Sequence, residues 1–105
     1  DRLLIMDGGR IVAEGTPRGL IHASLPPFVV EGRLIGGDDT PFRALAVEDA
    51  RDFVRSGDRV SVFVRDGADA LARVLEGGAD ADRTFVRPSN LEDLFLRLTG
   101  HGLRE

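Results

Sequence analysis

Residues 59–78 read RVSVFVRDGADALARVLEGG and join a strand pattern directly to a helix pattern. Over residues 59–65 apolar side chains alternate with polar ones, which is typical of a strand with one buried face. Val60, Val62 and Val64 face one way, and Ser61 and Arg65 face the other. The residues that follow predict a helix that Asp66 caps and Gly77-Gly78 ends. The apolar face of this helix is predicted to hold Ala68, Leu71, Ala72 and Leu75.

Further strand and helix patterns flank this stretch. Residues 28–35 and 83–87 predict strands, and Asn90 or Ser89 is expected to cap a last helix. A helix that Gly57 ends is predicted from apolar residues at helical spacing, namely Val47, Ala50, Phe53 and Val54. A further strand could lie in residues 41–46. This order predicts an α+β fold from residue 28 onward, a small ferredoxin-like or ACT-like sheet with helices on one face.

The first part of the chain predicts a small appendage. Residues 2–14 form two apolar runs around Asp7-Gly8-Gly9-Arg10, which supplies the turn of a β-hairpin. Thr16-Pro17 then predicts the N-cap and first residue of a short helix that runs to about Ala23. Pro26-Pro27 ends this segment and suggests a linker. We therefore expect two domains, residues 1–25 and residues 26–105.

Composition limits the possible functions. The 105 residues are 42% hydrophobic and 30% charged, which suits a folded domain with a hydrophobic core. A net charge of −4, from 14 arginines and 18 acidic residues, argues against a nucleic-acid-binding protein. The absence of cysteine excludes disulfide and thiolate chemistry. The early apolar run, residues 3–6, is far too short to span a membrane.

The sequence shows no catalytic or cofactor motif. The glycine pairs at 8–9 and 36–37 lack the Lys and Ser/Thr of a nucleotide-binding loop. Asp38-Asp39 is an acidic pair without further ligands at a recognisable spacing, so we interpret it as a solvated loop. The residues therefore predict no catalytic, cofactor-binding or metal site, and the chain is not expected to be an enzyme.

The last helix pattern, PSNLEDLFLRLTG at residues 88–100, carries one leucine outside its main apolar face. At about 100° per residue, three apolar side chains lie within about 60° of Leu91, so that four side chains form a core face. These are Leu91, Leu94, Phe95 and Leu98, with Glu92, Asp93 and Arg97 on the far side. Leu96 lies at about 140° and is either an isolated exposed leucine or a contact with a partner protein.

Two stretches resemble the ATP-binding subunits of ABC transporters. DRLLIMDGGRIVAEGTPRGLI, at residues 1–21, is similar to the segment that follows the switch histidine of these ATPases. PSNLEDLFLRLTGHGLRE, at residues 88–105, resembles the end of the daunorubicin-resistance type, which exports drugs and antibiotics. The matching positions in the second stretch, which are the interface candidates, are Leu91, Glu92, Asp93, Phe95, Leu96, Thr99 and Gly100.

The resemblance implies a function for the parent protein. The Walker and signature motifs would precede Asp1, so we expect the chain to be part of a longer protein and not to bind ATP or Mg itself. The parent would use ATP and Mg to drive export of drug- or antibiotic-like substrates. Its partners would be a second ATPase subunit and a membrane permease, at the cytoplasmic face of the cell membrane. The chain would then be a C-terminal accessory domain that supports subunit pairing or coupling to the permease.

Other functions compete with this interpretation. An ACT-like regulatory domain would bind a small effector, and a ligand-dependent shift in melting temperature would favour it. An OB-type barrel, like that of sugar-importer ATPases, is suggested by GDRVSVFVR at residues 57–65. The helical patterns after residue 46 argue against such a barrel.

Overall fold

The computed structural model describes residues 1–99. They form two compact units, which we call the hairpin unit (residues 1–25 and 89–99) and the sheet unit (residues 26–88). The strands are β1 (Leu3–Asp7), β2 (Arg10–Gly15), β3 (Phe28–Arg33), β4 (Phe53–Ser56), β5 (Arg59–Val64) and β6 (Thr84–Pro88). The helices are α1 (Pro17–Ser24), α2 (Thr40–Arg43), α3 (Gly67–Glu76) and α4 (Leu91–Thr99), with 3₁₀ turns at Ala50–Asp52 and Ala81–Arg83.

The hairpin unit begins with the predicted β-hairpin. β1 and β2 pair antiparallel, and the turn between them uses Gly8 and Gly9 at φ values of 62° and 81°. Such positive φ values are unfavourable for residues with a Cβ atom, which explains why two glycines occupy this turn. Helix α1 follows, and the Thr16 Oγ1 atom accepts a hydrogen bond of 3.1 Å from the Gly19 amide. The predicted hairpin, N-cap and helix are therefore confirmed.

The sheet unit contains a four-stranded antiparallel sheet with strand order β4-β5-β3-β6. Along the chain its elements run strand, helix, strand, strand, helix, strand, which is the ferredoxin-like arrangement. Helices α2 and α3 contact each other; α2 also contacts β5, and α3 contacts β3 and β6. The predicted α+β fold of a hairpin, a short helix and a small ferredoxin-like sheet is confirmed.

The core of the sheet unit lies between the sheet and these two helices. Its buried residues are Val30, Phe42, Val60, Val62, Ala70 and Val74. Val60 and Val62 come from the alternating stretch that predicted β5, so this strand buries the face expected for it. Four of the six are β-branched residues from β3, β5 and α3, and the Phe42 ring fills the space above Gly32.

Two predicted elements of the sheet unit are wrong. Residues 47–54 do not form a helix, because Ala50–Asp52 is a 3₁₀ turn and β4 begins at Phe53. Gly57, at φ 63°, lies in the turn between β4 and β5 and does not end a helix. A two-residue turn with glycine first is typical of a tight hairpin. The missing strand of the ferredoxin-like fold is therefore β4, whereas residues 41–46 begin within the short helix α2.

Helix α3 lies where the sequence predicts it, but it buries a different face from the predicted one. Its buried residues are Gly67, Ala70 and Val74, while Ala68 and Ala72 of the predicted face are exposed. Leu71 and Leu75 are partly buried and pack beside the core. A methyl group at Gly67 would lie 2.7 Å from Cγ1 of Val86, so the helix approaches the sheet closely at this residue. This close approach selects the face that α3 buries.

The two units divide the chain differently from the predicted domains. The break between Leu25 and Pro26 coincides with the predicted boundary. Residues 89–99, however, group with the hairpin unit, while the sequence places them in the domain of residues 26–105. In the hairpin unit α4 contacts α1. The assignment of residues 1–25 and 26–105 to separate functions stays a prediction.

Candidate interaction surface

Helix α4 starts with a reciprocal pair of hydrogen bonds. The Asn90 Oδ1 atom accepts a bond of 3.0 Å from the Asp93 amide, and the Asp93 Oδ2 atom accepts one of 2.8 Å from the Asn90 amide. This arrangement is a capping box, which satisfies amides that the first turn of a helix leaves without partners. The predicted cap at Asn90 is confirmed. Asp93 is buried and its carboxylate accepts from the Asn90 amide, whereas the sequence places it on the far side from the apolar face.

The apolar side chains of α4 are buried to different extents. Leu94 is completely buried, while Leu91, Phe95 and Leu98 are partly buried. Leu96 is 38% exposed, and Glu92, on the same outward side, is also exposed. The helical projection therefore separates Leu96 from the buried face as expected. Leu96 is therefore an exposed apolar side chain of α4 that a partner protein could contact.

The remaining candidate residues of this helix lie near its end. The Thr99 hydroxyl donates a hydrogen bond of 2.7 Å to the Phe95 carbonyl oxygen, which ties Thr99 to the last turn. Gly100 lies outside the described residues. The structure therefore brings Leu91, Glu92, Asp93, Phe95, Leu96 and Thr99 onto one short helix. Their role as an interface stays a prediction.

A polar cluster in the sheet unit surrounds Asp39. The sequence pattern suggests that Asp39 is part of a solvated loop. Its side chain is only 12% exposed and pairs with Arg55 at 2.8 Å and Arg43 at 2.9 Å. Hydrogen bonds from Arg55 and Arg43 hold the pKa of the Asp39 carboxyl below its ordinary value. Arg55 also donates to the carbonyl oxygens of Gly57 and Gly37. The cluster thus connects the loop before α2 to β4 and has a structural role.

Another polar cluster lies on the strands of the sheet unit. Glu31 of the central strand β3 pairs with Arg87 of β6 at 2.9 Å and with Arg59 of β5 at 3.5 Å. Arg33 pairs with Asp58 at 3.3 Å in the same part of the sheet. The sequence missed these pairs, because they join residues 25 to 56 positions apart. The Asp39–Arg43 pair could have been found from its i,i+4 spacing.

Residues 1–99 hold neither a grouped set of metal ligands nor a membrane-spanning helix. In this part of the chain, no three His, Cys, Asp or Glu side chains are grouped so that they could hold a metal ion. None of the helices described above has the length and apolar character required to cross a membrane.

Comparison with known proteins shows which class of protein the chain is similar to. The chain is 38% identical to the Nod factor export ATP-binding protein I of Rhizobium meliloti (strain 1021) over all 105 of its residues, which cover 30% of that protein. It is 36% identical to the protein of that name from Mesorhizobium japonicum and 37% identical to the one from Cupriavidus pinatubonensis. The chain thus spans about 30% of the length of these relatives. It is similar to the ATP-binding proteins of ABC transporters, as the sequence resemblance implied.

A family model shows which part of an ATP-binding protein the chain matches. The model described as Nodulation factor export protein NodI, C-terminal domain, matches residues 43–100, which is more than half of the chain. The chain belongs to this family. The match runs from the end of α2 through β4, β5, α3 and β6 to the end of α4. The daunorubicin-resistance subtype that the sequence suggested is not supported by these comparisons.

Proposed function

We propose that this chain is the accessory domain of the ATP-binding subunit of an ABC exporter, and that it supports pairing of two such subunits or their coupling to a membrane permease. The observation that carries the proposal is the family match, which extends through α4 to residue 100. Within that match α4 presents Leu96 at 38% exposure beside the completely buried Leu94. Residues 26–105 would act as this accessory domain, and residues 1–25 would be the edge of the ATPase domain.

We further propose that the whole protein exports a Nod factor, because the relatives are named as Nod factor export ATP-binding proteins. ATP and Mg would bind to parts of the protein outside this chain. The subunit would lie peripherally at the cytoplasmic face of the membrane, where it meets the permease. The drug- or antibiotic-like substrate expected from the sequence is not proposed, since these names give no support for it.

The pairing or coupling role is tested in the full-length subunit expressed with its permease. We expect Leu96→Asp to reduce co-purification of the permease or of a second subunit, since loss of an apolar anchor at the centre of an interface can cost about 2 kcal/mol or more. Val47→Asp is the matched control, because Val47 is 81% exposed in a loop outside the candidate residues, and it should leave both associations unchanged. Unchanged association and transport in Leu96→Asp would make Leu96 simply an exposed leucine.

The substrate is tested by complementation. A Rhizobium meliloti strain that lacks its Nod factor export ATP-binding protein I would receive the full-length protein with its permease. Nod factor in the medium would then be measured. Restored export supports the proposed substrate. Stable expression of both proteins without export would contradict it.

A further inference from the structure

The sheet unit begins and ends on neighbouring strands. Its first strand, β3, starts at Phe28, its last strand, β6, ends at Pro88, and these two residues pair across the ladder. The α-carbons of such a pair lie about 4.5–5.5 Å apart. Pro26 and Pro27 precede β3, and proline lacks the N–H group that a strand donates. Because its two ends are close together, the sheet unit has the form of an insertion between α1 and α4.

The core of the sheet unit comes from within that unit. The buried cluster and the partly buried side chains that pack against it all lie between Val30 and Val86. A sheet of three or more strands with one face packed on helices can be stable by itself, and this unit has four strands and two such helices. Residues 26–88 therefore contain what an independently folding module requires.

The hairpin unit has fewer sources of stability unless α4 is present. A two-stranded hairpin is marginal in water, and so is a helix as short as the eight residues of α1, none of which is buried. Helix α4 contacts α1 and carries Leu94, which is completely buried and is not a member of the sheet-unit core. The other buried apolar residues described in this unit are Ile5 and Leu25.

We infer that α4 is a strap that completes the hairpin unit, and that the inserted sheet unit opens and refolds independently of it. The capping box between Asn90 and Asp93 gives α4 its own start shortly after β6 ends, so the first turn of the helix is fixed by local hydrogen bonds. The inference goes beyond the proposed function, because it concerns α4 within the chain and holds whichever protein contacts Leu96.

Hydrogen exchange of the backbone amides in the whole 105-residue chain tests the inference. We expect Leu94→Ala to speed exchange in β1 and β2 by about thirtyfold or more, because truncation of a buried leucine favours opening of the unit it stabilises by at least that factor. Exchange in β3 and β5 should stay within about threefold of the wild type.

Two further variants supply the matched comparisons. Leu96→Ala removes the same atoms from the same helix at a residue that is 38% exposed, and it should leave exchange in both units within about threefold of the wild type. Val62→Ala lies in the core of the sheet unit. It should speed exchange in β3 and β5 by about tenfold or more and leave β1 and β2 within about threefold.

Equal acceleration of both units by Leu94→Ala, or by Val62→Ala, would reveal one cooperative structure and overturn the inference. Amides of β1 and β2 that are unprotected in the wild type, or that do not respond to Leu94→Ala, would overturn the role of α4 as a strap. If Leu94→Ala unfolds the hairpin unit completely, β1 and β2 exchange as in an unfolded chain. Continued protection of β3 and β5 in that variant supports the inference, and loss of their protection overturns it.

Discussion

Gly32 of β3 lies against the ring of Phe42 from α2, so Gly32→Ala probes the packing of the core directly. A methyl group at this residue would lie 2.6 Å from Cζ of Phe42, 3.0 Å from its Cε1 and 3.2 Å from Oγ1 of Thr84. Ordinary contacts begin at 3.4 Å, so the ring would have to retreat by about 0.8 Å. Phe42 is only 2% exposed and is surrounded by the core, so it has little room to move.

The expected change in the free energy of unfolding follows from two opposing effects. Overpacking a dense core costs about 1–3 kcal/mol. Replacing glycine by alanine within a strand returns about 0.5–1 kcal/mol of backbone entropy. We therefore expect Gly32→Ala to lower the free energy of unfolding by about 1–2 kcal/mol. With a urea dependence of about 2 kcal/mol per molar, typical of small proteins, the midpoint falls by roughly 0.5–1 M.

Urea unfolding followed by far-UV circular dichroism measures this change, and a double-mutant cycle supplies the control. Phe42→Leu removes the ring that the new methyl group would meet. The double variant should therefore be less destabilised than the sum of the two single variants, by about 0.5 kcal/mol or more. A stabilised Gly32→Ala, or strict additivity with Phe42→Leu, would refute the packing argument.

Four further predictions concern α4, the Asp39 cluster and nucleotide binding. In urea unfolding, Leu94→Ala should cost about 2–5 kcal/mol and Leu96→Ala less than about 0.5 kcal/mol; equal losses would mean that α4 is buried on both sides. By the same measurement, Asn90→Ala should cost about 1 kcal/mol and Asn90→Ser less, since serine keeps an acceptor for the Asp93 amide; equal costs would argue against the capping box. The lowered pKa of Asp39 means that its ionised form stabilises the fold above the ordinary aspartate pKa of about 3.9, and that this stabilisation is lost as the pH falls toward the lowered value. Below pH 4 the free energy of unfolding should therefore depend less on pH in Asp39→Asn than in the wild type. Identical pH profiles of the two proteins would exclude this role of Asp39. Finally, titration of Mg-ATP into the labelled chain should give no saturable amide shifts at micromolar ATP, whereas localised shifts would reveal a nucleotide site.

Most elements were predictable because their signals are local. The turn glycines of the first hairpin, Thr16-Pro17 at the start of α1 and the alternation in β5 each act within a few residues. The same holds for α4, where Asn90 and Asp93 are three positions apart. The projection that set Leu96 apart from Leu94 also needed only the helical period. These features are encoded in short windows of sequence.

Other features depend on residues that are distant in the chain. Phe53 and Val54 have a helical spacing with Val47 and Ala50, yet they form β4 because β5 offers a partner strand. The face that α3 buries depends on the contact of Gly67 with β6. Local periodicity could not decide either point, because each depends on a contact with another element.

The candidate surfaces also combine features that the sequence predicts with features that only the tertiary structure shows. By itself the sequence determined the elements of local periodicity and capping, and it placed Leu96 outside the apolar face of α4. Only the tertiary structure decided that Asp39 is paired with Arg43 and Arg55, and that Glu31 meets arginines from two neighbouring strands. The physical reason is that caps and helical faces are set within one turn of chain, whereas charge pairs across a sheet exist only once the strand order and register are fixed.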